Sequence, residues 1–271
     1  GSEMCIRDIN IIFLSTPFSR EACDRLESMD VQAYKIGSGE CNNLPLIHYV
    51  ASKNKPIILS TGMNDMNSIS KTVQIIKSHN TPLILLHCTS MYPTPYDKVR
   101  LGAINDLQDN FPDIPVGFSD HSLGIAASLG SIALGSCIIE KHFTISRSWP
   151  GPDTGISIEP NELKSLIEHS KQIWESRGGS KNILEEEKPV IDFAYASVVS
   201  IKSIKKGEKF SLDNIWVKRP GNGELLSDKF DKILGTTAQQ DISLNSQISL
   251  KDIDHSIKSV SYTHLRAHET D

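Results

Sequence analysis

Short runs of Ile, Leu and Val recur along the chain, and each is followed by a stretch with helical periodicity. Continuous apolar runs of this length are typical of strands covered on both faces, and their alternation with helices predicts a parallel sheet. The predicted strands are INIIFL from Ile9, AYKIG from Ala33, KPIIL from Lys55, TPLILLHC from Thr81, DIPVGF from Asp113 and SCIIEKHF from Ser136. The pattern therefore predicts six successive βα units.

Amphipathic stretches between and after these runs predict the helices. They cover residues 19–29, 43–53, 66–79, 102–111, 123–135 and 159–179. The last of them has Pro160 near its first turn and ends at Gly178 and Gly179, and these residues favour a helix start and a helix stop.

Polar side chains follow every predicted strand. The segments after the strands are STPFS, GSGE, STGM, TSMYPTPY, SDHS and HFT. In (β/α) folds the loops at the carboxyl ends of the strands meet over the barrel mouth and hold the active site, so this succession predicts one shared site. A TIM barrel has eight strands. Because six are visible and the first begins almost at residue 9, we expect a (β/α)8 TIM barrel that lacks its first two βα units.

The pattern changes after Gly179, which predicts a second domain. From Tyr195 onward, short β-like runs alternate with Gly and Asn turns, and KFSLDNI from Lys209 is echoed by QISLKDI from Gln247. This echo predicts two related corners in one compact β module. The predicted boundaries are a barrel domain at 9–182, a charged linker at 183–194, the β domain at 195–253 and a non-native or disordered tail at 254–271.

Composition and charge narrow the class of protein. The chain has 271 residues, 38% of them hydrophobic, which is enough to build a real core. Its net charge of −5 argues against nucleic acid or an anionic membrane as the main partner. No apolar stretch reaches the ~18 residues needed to span a bilayer, so we expect a soluble, cytoplasmic protein. The five cysteines show no metal-binding spacing and are expected to be reduced thiols: Cys5, Cys23, Cys41, Cys88 and Cys137.

His121 and His142 follow successive predicted strands. Adjacent strand ends can bring two imidazoles to one divalent ion and leave coordination positions open for water or substrate oxygen. The alternative is a pair of ordinary hydrogen-bonded histidines. Asp120 points to the opposite face if the strand continues through it, so we expect it to support the site rather than to be a third ligand. His255, His264 and His268 lie in the tail, where we expect no metal site.

Lys35 lies inside an apolar strand, where an ammonium group must face an anion or water. Ser38 and Gly39 follow it, and a Gly-Ser-Gly sequence lets backbone N–H groups approach a phosphate closely. Alone this sequence is more typical of a tight turn. Beside Thr16 and Ser60 it predicts an anion pocket. Tyr92 in a Pro-rich loop and Arg219 before a Gly-rich turn are candidate ligand contacts, or else a packed tyrosine and a solvated arginine.

Together these residues resemble the sialic acid synthase family. The matching motifs are STPFS, AYKIGSGECNN, PIILSTGM, LLHCTSMYPTPY, GFSDHS, EKHFT, GPD, EEKPVIDFA and VKRPGNG, in family order over residues 9 to 253. The resemblance implies a TIM-barrel synthase domain followed by a small antifreeze-like β-clip (SAF) domain that is swapped over the partner in a homodimer. It also implies condensation of phosphoenolpyruvate with an N-acetylated amino sugar to a nonulosonic acid, with release of phosphate.

The resemblance further implies a role for each matching residue. His121 and His142 would hold Mn²⁺, or Mg²⁺ or Co²⁺ in its place. The phosphoenolpyruvate contacts would be Thr16, Lys35, Ser38, Ser60 and Ser119. The sugar contacts would be Tyr92, Asp153 and Arg219. Lys35 would balance phosphate charge during catalysis, and Glu40 is our candidate for handling the proton of the attacking water.

Several alternatives stay open at this stage. Ser90 stands where bacterial sialic acid synthases commonly have asparagine, so the sugar could be N-acetylmannosamine, its 6-phosphate or a diacetamido sugar leading to legionaminic acid. A related barrel synthase or aldolase is the nearest alternative enzyme. Outside enzymes, a catalytically incomplete fragment could act as a binding or assembly module.

Overall fold

The computed structural model describes residues 11–254, which divide into two compact units between Gly179 and Ser180. The first unit contains a parallel sheet with strand order β1-β2-β3-β4-β5. Its strands are β1 Tyr34–Ile36, β2 Ile57–Ser60, β3 Leu83–Cys88, β4 Val116–Asp120 and β5 Ile139–Lys141. Its helices are α1 Arg20–Ser28, α2 Leu44–Ala51, α3 Met66–Ser78, α4 Gly102–Asn110, α5 Ala126–Ala133 and α6 Pro160–Ser176.

Polar caps explain where several of these helices begin. The Ser19 side chain accepts from the backbone N–H of Ala22 at the start of α1, and Asp65 does the same for Ser68 at the start of α3. α6 begins with a capping box in which the Glu162 carboxylate accepts from the backbone N–H of Glu159. Each cap satisfies backbone donors that the first helical turn leaves without a partner.

The sheet is curled into a half-barrel of the TIM-barrel type. Lys35 lies on β1 and Glu140 on β5, the two edge strands, and yet the Lys35 Nζ is 3.3 Å from the Glu140 Oε2. A flat sheet would hold these strands far apart, since neighbouring strands are spaced by ~4.8 Å. The ion pair therefore spans the interior of the curl. The core consists of β-strand and helix side chains such as Ile36, Leu59 and Leu85, which are fully buried.

The prediction of the first of the six strands is wrong for the part of it that the structure describes. Residues 11–14 form no strand, and Ile12 is 61% exposed. One backbone bond, from the N–H of Lys35 to the carbonyl of Ser15 at 3.3 Å, joins this segment to β1. Without a ladder of such bonds an apolar run stays irregular. The described residues therefore contain a five-stranded sheet instead of six strands, while Ile9 and Asn10 lie outside the described range.

The second unit is a small β module. β6 Ser197–Ser200 pairs antiparallel with β7 Ile215–Lys218, and the module also contains α7 Lys188–Ala194 and α8 Phe230–Ile233. Its own core includes the buried Val198, Phe210 and Ile248. α7 falls within the segment predicted as a charged linker, where the apolar residues of KPVIDFA follow the acidic run.

The two predicted corners of this module are confirmed. The backbone N–H of Ser211 donates to the Asn214 Oδ1 at 2.8 Å, and the N–H of Ser249 donates to the Asp252 Oδ2 at 2.7 Å. In each repeat, the side chain three residues after the serine thus accepts a hydrogen bond from the serine N–H and closes a turn. The sequence echo therefore reports the same local hydrogen bond used twice.

The described cysteines agree with the prediction of reduced thiols. Cys23, Cys41 and Cys88 are buried, Cys137 is exposed, and all four are free. Cys5 lies outside the described residues, as do His255, His264 and His268 of the tail. Among the described helices, none combines the length and the apolar character needed to cross a bilayer.

Leu85 provides a test of the half-barrel core, because its β3 side chain is fully buried. Leu85→Ala is expected to lower the free energy of unfolding of the first unit by about 2–5 kcal/mol, since it leaves a cavity. Urea unfolding should be followed by fluorescence in a Trp216→Phe background, where Trp149 and Trp174 report only on the first unit.

Leu123→Ala is the control, because Leu123 is 48% exposed and its truncation should change stability by less than about 0.5 kcal/mol. Equal losses for the two variants would contradict the placement of Leu85 in the core.

Candidate active site

Strand alternation places two sets of residues at the ends of β4 and β5. In the register of this strand pair Ser119 lies opposite Glu140, and Asp120 lies opposite Lys141. Successive side chains of a strand point to opposite faces. The described contacts follow this rule. Glu140 accepts from Ser119 and forms an ion pair with Lys35 across the curl, whereas Asp120 and Lys141 form a separate buried ion pair. Asp120 thus points to the face opposite Ser119, as its position in the sequence predicts.

Lys35 is the cationic group of the site. Its Nζ donates to the Ser60 Oγ at 2.9 Å and to the backbone carbonyl of Ile36 at 3.3 Å, and it forms the ion pair with Glu140. The Lys35 side chain is 14% exposed. The ammonium group therefore retains hydrogen-bond partners in a largely enclosed position and still reaches the inside of the curl.

Glu140 is the functional residue that the sequence reasoning missed. Its Oε1 accepts from the Ser119 Oγ at 2.6 Å, and its Oε2 faces Lys35. A signal was present, since Glu140 lies two residues before His142 and two-residue spacing along a strand gives the same face. The structure therefore adds one carboxylate to the predicted set of Lys35, Ser60 and Ser119.

A second group of hydroxyls gathers around Gly62. The Ser38 Oγ accepts from the backbone N–H of Gly62 at 2.9 Å. A Cβ placed on Gly62 would lie 2.4 Å from the Ser90 Oγ, 2.8 Å from the Ser38 Oγ and 3.1 Å from the Cys88 Sγ. These atoms therefore share one small space that only glycine leaves open.

Thr16 and Glu40 flank the Gly-Ser-Gly turn. A Cβ on Gly37 would lie 4.0 Å from the Thr16 Cγ2, so Thr16 stands directly beside this turn. Glu40 ends a short 3₁₀ helix, and its Oε2 accepts from the Asn43 side-chain amide at 2.6 Å. The carboxylate that contacts Lys35 is thus that of Glu140, while the role of Glu40 stays a prediction.

His121 and His142 lie side by side, with ring centroids 5.3 Å apart. Tyr92 covers them, with its ring centroid 4.2 Å from that of His121 and 5.8 Å from that of His142. The Asp153 Oδ2 lies 3.8 Å from the His142 Nδ1. Two predicted sugar contacts, Tyr92 and Asp153, therefore stand against the predicted pair of metal ligands.

The hydrogen bonds of His121 define its tautomer. Its Nδ1 lies 3.1 Å from the carbonyl oxygen of Thr89, which only accepts, so Nδ1 carries the proton. In the neutral ring the Nε2 then has a free lone pair, which is how metal-binding histidines are usually prepared.

The pKa values of the two imidazoles differ in direction. Burial and the positive charge of His121 lower the pKa of His142. Burial also opposes protonation of His121, but contacts with the Cys88 Sγ at 3.7 Å and with the Thr89 carbonyl raise its pKa. The neutral form that a metal ligand requires is therefore favoured at His142.

This donor set fits two ligands of a divalent cation. Among residues 11–254, no group of three or more His, Cys, Asp or Glu side chains is arranged to hold a metal ion. A site built on His121 and His142 would thus depend on water or substrate for its other ligands, as an open catalytic site does. Arg219, the remaining predicted site residue, lies in the second unit directly after β7.

Comparison with known proteins gives a consistent result. The model of the NeuB family matches residues 2–182, and that of the SAF domain matches residues 195–254. An uncharacterised protein of Methanocaldococcus jannaschii is 45% identical over 217 residues, covering 79% of this chain and 64% of the relative. N,N'-diacetyllegionaminic acid synthase of Campylobacter jejuni is 42% identical over 233 residues, covering 84% of this chain and 69% of the relative.

Solved structures agree with these matches. The crystal structure of an N-acetylneuraminic acid (sialic acid) synthetase from Leptospira borgpetersenii in complex with citrate superimposes with a TM-score of 0.65 at 36% identity. The match covers 68% of this chain and 65% of that structure. This chain thus spans roughly two thirds of the length of the relatives that it matches.

Gly62 provides a test of the crowded hydroxyl cluster. Gly62→Ala is expected to lower the stability of the first unit by about 1–3 kcal/mol, because the new methyl group overlaps the Ser90 and Ser38 hydroxyls. Urea unfolding in the Trp216→Phe background measures this loss.

Gly39→Ala is the matched control in the adjoining turn, where an added Cβ meets no atom within 4 Å. A Gly62→Ala variant as stable as Gly39→Ala would contradict the close packing of the Ser90 and Ser38 hydroxyls around Gly62.

Proposed function

Because this chain belongs to the NeuB family of sialic acid synthases, we propose that the protein condenses phosphoenolpyruvate with an N-acylated amino sugar, forming a nonulosonic acid and phosphate. One observation carries the proposal. Lys35, Ser119 and Glu140 meet inside the curl, on strands whose same carboxyl edge carries the His121–His142 pair. A cation with a hydroxyl partner, at the same strand edge as two imidazoles, supports a site that would bind an anionic substrate and a divalent cation together.

The anion site would bind phosphoenolpyruvate. Lys35 offers a cation held at 2.9 Å from the Ser60 hydroxyl, which can donate to the substrate in turn. Ser38 and Thr16 would supply further hydroxyls to the substrate, and Ser119 would do so by moving its proton from the Glu140 carboxylate to the substrate. Positioned donors of this kind balance the charge of the leaving phosphate without reorganising during the reaction.

His121 and His142 would hold a divalent cation such as Mn²⁺, Mg²⁺ or Co²⁺. When bound, this cation would act as a Lewis acid that polarises the aldehyde oxygen of the open-chain sugar. The carbonyl of Thr89 keeps the proton of His121 on Nδ1, and Tyr92 packs against the two rings and limits their rotation. The protein thereby fixes the proton position of His121 and restrains both rings before substrate arrives.

Sugar recognition would come from three residues. Tyr92 is 55% exposed beside the imidazoles, and Asp153 lies next to His142, so both are accessible to a ligand above the histidine pair. Arg219 would contact the N-acyl group from the SAF domain of the partner in a swapped homodimer.

Proton transfer to and from water would fall to a carboxylate. Glu40 is the proposed group, and its bond to Asn43 orients the carboxylate from one side. Glu140 would keep Lys35 and Ser119 in place around the phosphoryl group, since one carboxylate oxygen contacts each of them. C3 of phosphoenolpyruvate would then attack the aldehyde carbon, and the aldehyde oxygen would take up a proton. Water would add at C2 and lose a proton, and cleavage of the C2–O bond would release phosphate, which takes the remaining hydroxyl proton as C2 becomes a keto group.

The proposed substrate is a class of sugars, the N-acylated amino sugars. The relative from Campylobacter jejuni is named for diacetyllegionaminic acid and the Leptospira structure for N-acetylneuraminic acid. The candidate substrates are therefore a diacetamido sugar, as for the former, and N-acetylmannosamine, as for the latter. N-acetylmannosamine 6-phosphate is the third candidate, carried over from the sequence analysis.

Phosphate release measures the proposed reaction. The protein is expected to release phosphate from phosphoenolpyruvate only when Mn²⁺ and one of these sugars are present, and product mass identifies the sugar. His121→Ala should lower the rate to background because it removes one of two protein ligands. Near-normal turnover in His121→Ala would contradict the metal assignment, and no turnover with any sugar would contradict the proposed reaction.

Lys35 tests the anion site separately. Lys35→Met keeps much of the side-chain length but removes the cation, so kcat/KM for phosphoenolpyruvate should fall by about 100-fold or more. Lys77→Met is the control, since Lys77 pairs with Asp113 on the surface. An equal effect of the two substitutions would rule out a specific role for Lys35.

A further inference from the structure

A buried ion pair lies behind the histidine pair. The Lys141 Nζ is 3.0 Å from the Asp120 Oδ2, and the two side chains are 3% and 0% exposed. The Asp120 carboxylate is saturated with donors: Oδ1 accepts from the backbone N–H and the hydroxyl of Ser122, and Oδ2 accepts from the Ser128 hydroxyl at 2.6 Å. No part of this network takes part in the proposed reaction.

The network joins the backbone on either side of the two imidazoles. Asp120 immediately precedes His121, Lys141 immediately precedes His142, and the two are partners in the strand register. The Lys141 ammonium also donates to the backbone carbonyl of Ser122, the residue after His121. One side chain from β5 therefore holds both chain neighbours of His121.

We propose that Asp120 and Lys141 are positioning residues that set the separation of His121 and His142 and so determine the affinity for the divalent cation. This inference rests on the proposed function, because it presumes that the two imidazoles bind a cation. Asp120 and Lys141 themselves face away from the cation and act through the backbone.

The physical reason lies at the ends of the strands. β5 contains three residues, and the last register pair of β4 and β5 is Asp120 with Lys141. Among the described backbone bonds none joins His121 directly to His142: the His121 carbonyl accepts from the Thr94 N–H at 3.0 Å, and the His142 carbonyl accepts from the Ile158 N–H at 2.8 Å. A buried ion pair contributes little net stability over an apolar pair, but its directional bonds can select one register. Here those bonds replace the missing ladder at the point where the ligands project.

Cobalt binding to the full chain tests this role without turnover. Calorimetry gives the affinity for Co²⁺, and visible absorption reports the ligand geometry. All variants are made with His79→Gln, because the exposed His48 Nδ1 and His79 Nε2 lie 3.2 Å apart and could bind Co²⁺ separately. His121→Ala in this background should lose the binding, which assigns it to the His121–His142 pair.

Asp120→Asn is the main variant. It keeps the shape and an acceptor for Ser122 but removes the charge that holds Lys141. We expect Co²⁺ affinity to fall by about 10- to 100-fold, with an altered absorption spectrum, as for other residues that orient metal ligands. Each titration is run at a temperature where circular dichroism shows the variant to be folded.

Two further variants keep the test decisive. Asp113→Asn breaks the exposed ion pair with Lys77 and should leave the Co²⁺ affinity unchanged. Ser128→Ala removes a single hydrogen bond to Asp120 and leaves both strands intact, so it should give a smaller loss and remain measurable if Asp120→Asn does not fold.

The outcomes separate the two claims. If the protein binds no Co²⁺ in a manner that depends on His121, the metal part of the proposed function fails and the positioning role fails with it. If it does bind, but folded Asp120→Asn and Ser128→Ala bind with unchanged affinity and spectrum, only the positioning role is overturned.

Discussion

The ion pair between Lys35 and Glu140 is the constraint on which the site depends. These residues occupy the two edge strands of the sheet, so their 3.3 Å contact requires the sheet to curl until its edges face each other. The same contact places the largely enclosed Lys35 ammonium opposite the partly exposed Glu140 carboxylate, so the enclosed charge has a partner. Ser119 and Ser60 then bond to the two charged groups from β4 and β2. The shape of the sheet and the chemistry of its interior thus have one common cause.

Side chains alternate between the two faces of β4 and β5, so the two faces carry different residues with different partners. Ser119 and Glu140 turn inward, where charges and hydroxyls remain available to a ligand. Asp120 and Lys141 turn outward into a space closed by α5, where every Asp120 oxygen already has a donor. An anion that enters the curl would therefore contact Lys35, which is already bonded to Ser60 and Glu140. The outward pair of Asp120 and Lys141 has its hydrogen-bond partners within the protein and is not available to a ligand. Chemically similar residues acquire different roles from the face on which they lie.

Much of this could be predicted from the sequence, and the failures have physical reasons. Polar residues at successive strand ends, Ser60, Ser119 and His121 among them, predicted one shared site, because parallel strands share one carboxyl edge. Lys35 was predicted separately, from its position inside an apolar strand. Glu140 was missed because it precedes the end of its strand. Its spacing from His142 indicates the face on which it lies, but its contact with Lys35 depends on the curl of the sheet, which that spacing does not encode. The strand predicted at Ile9 failed in its described part because apolar character indicates burial but does not supply a pairing partner. The helix α7 was not predicted, because the acidic residues before it made the whole segment resemble a charged linker, although the short apolar run after them forms a helix.

The buried pair behind the histidines illustrates why stability and function need separate explanations. Replacing Asp120 and Lys141 by apolar residues of similar volume could leave the stability nearly unchanged, since ion pairs in cores often gain little over hydrophobic contacts. Such a replacement would nevertheless remove the bond from Lys141 to the Ser122 carbonyl and leave the backbone around His121 without that hold. Packing alone does not specify the angle at which a strand end leaves its sheet, whereas a charged group with directional partners on both sides of one residue does. The requirement for a defined spacing between two ligands therefore gives a reason for charges in a position where hydrophobic residues would also fold.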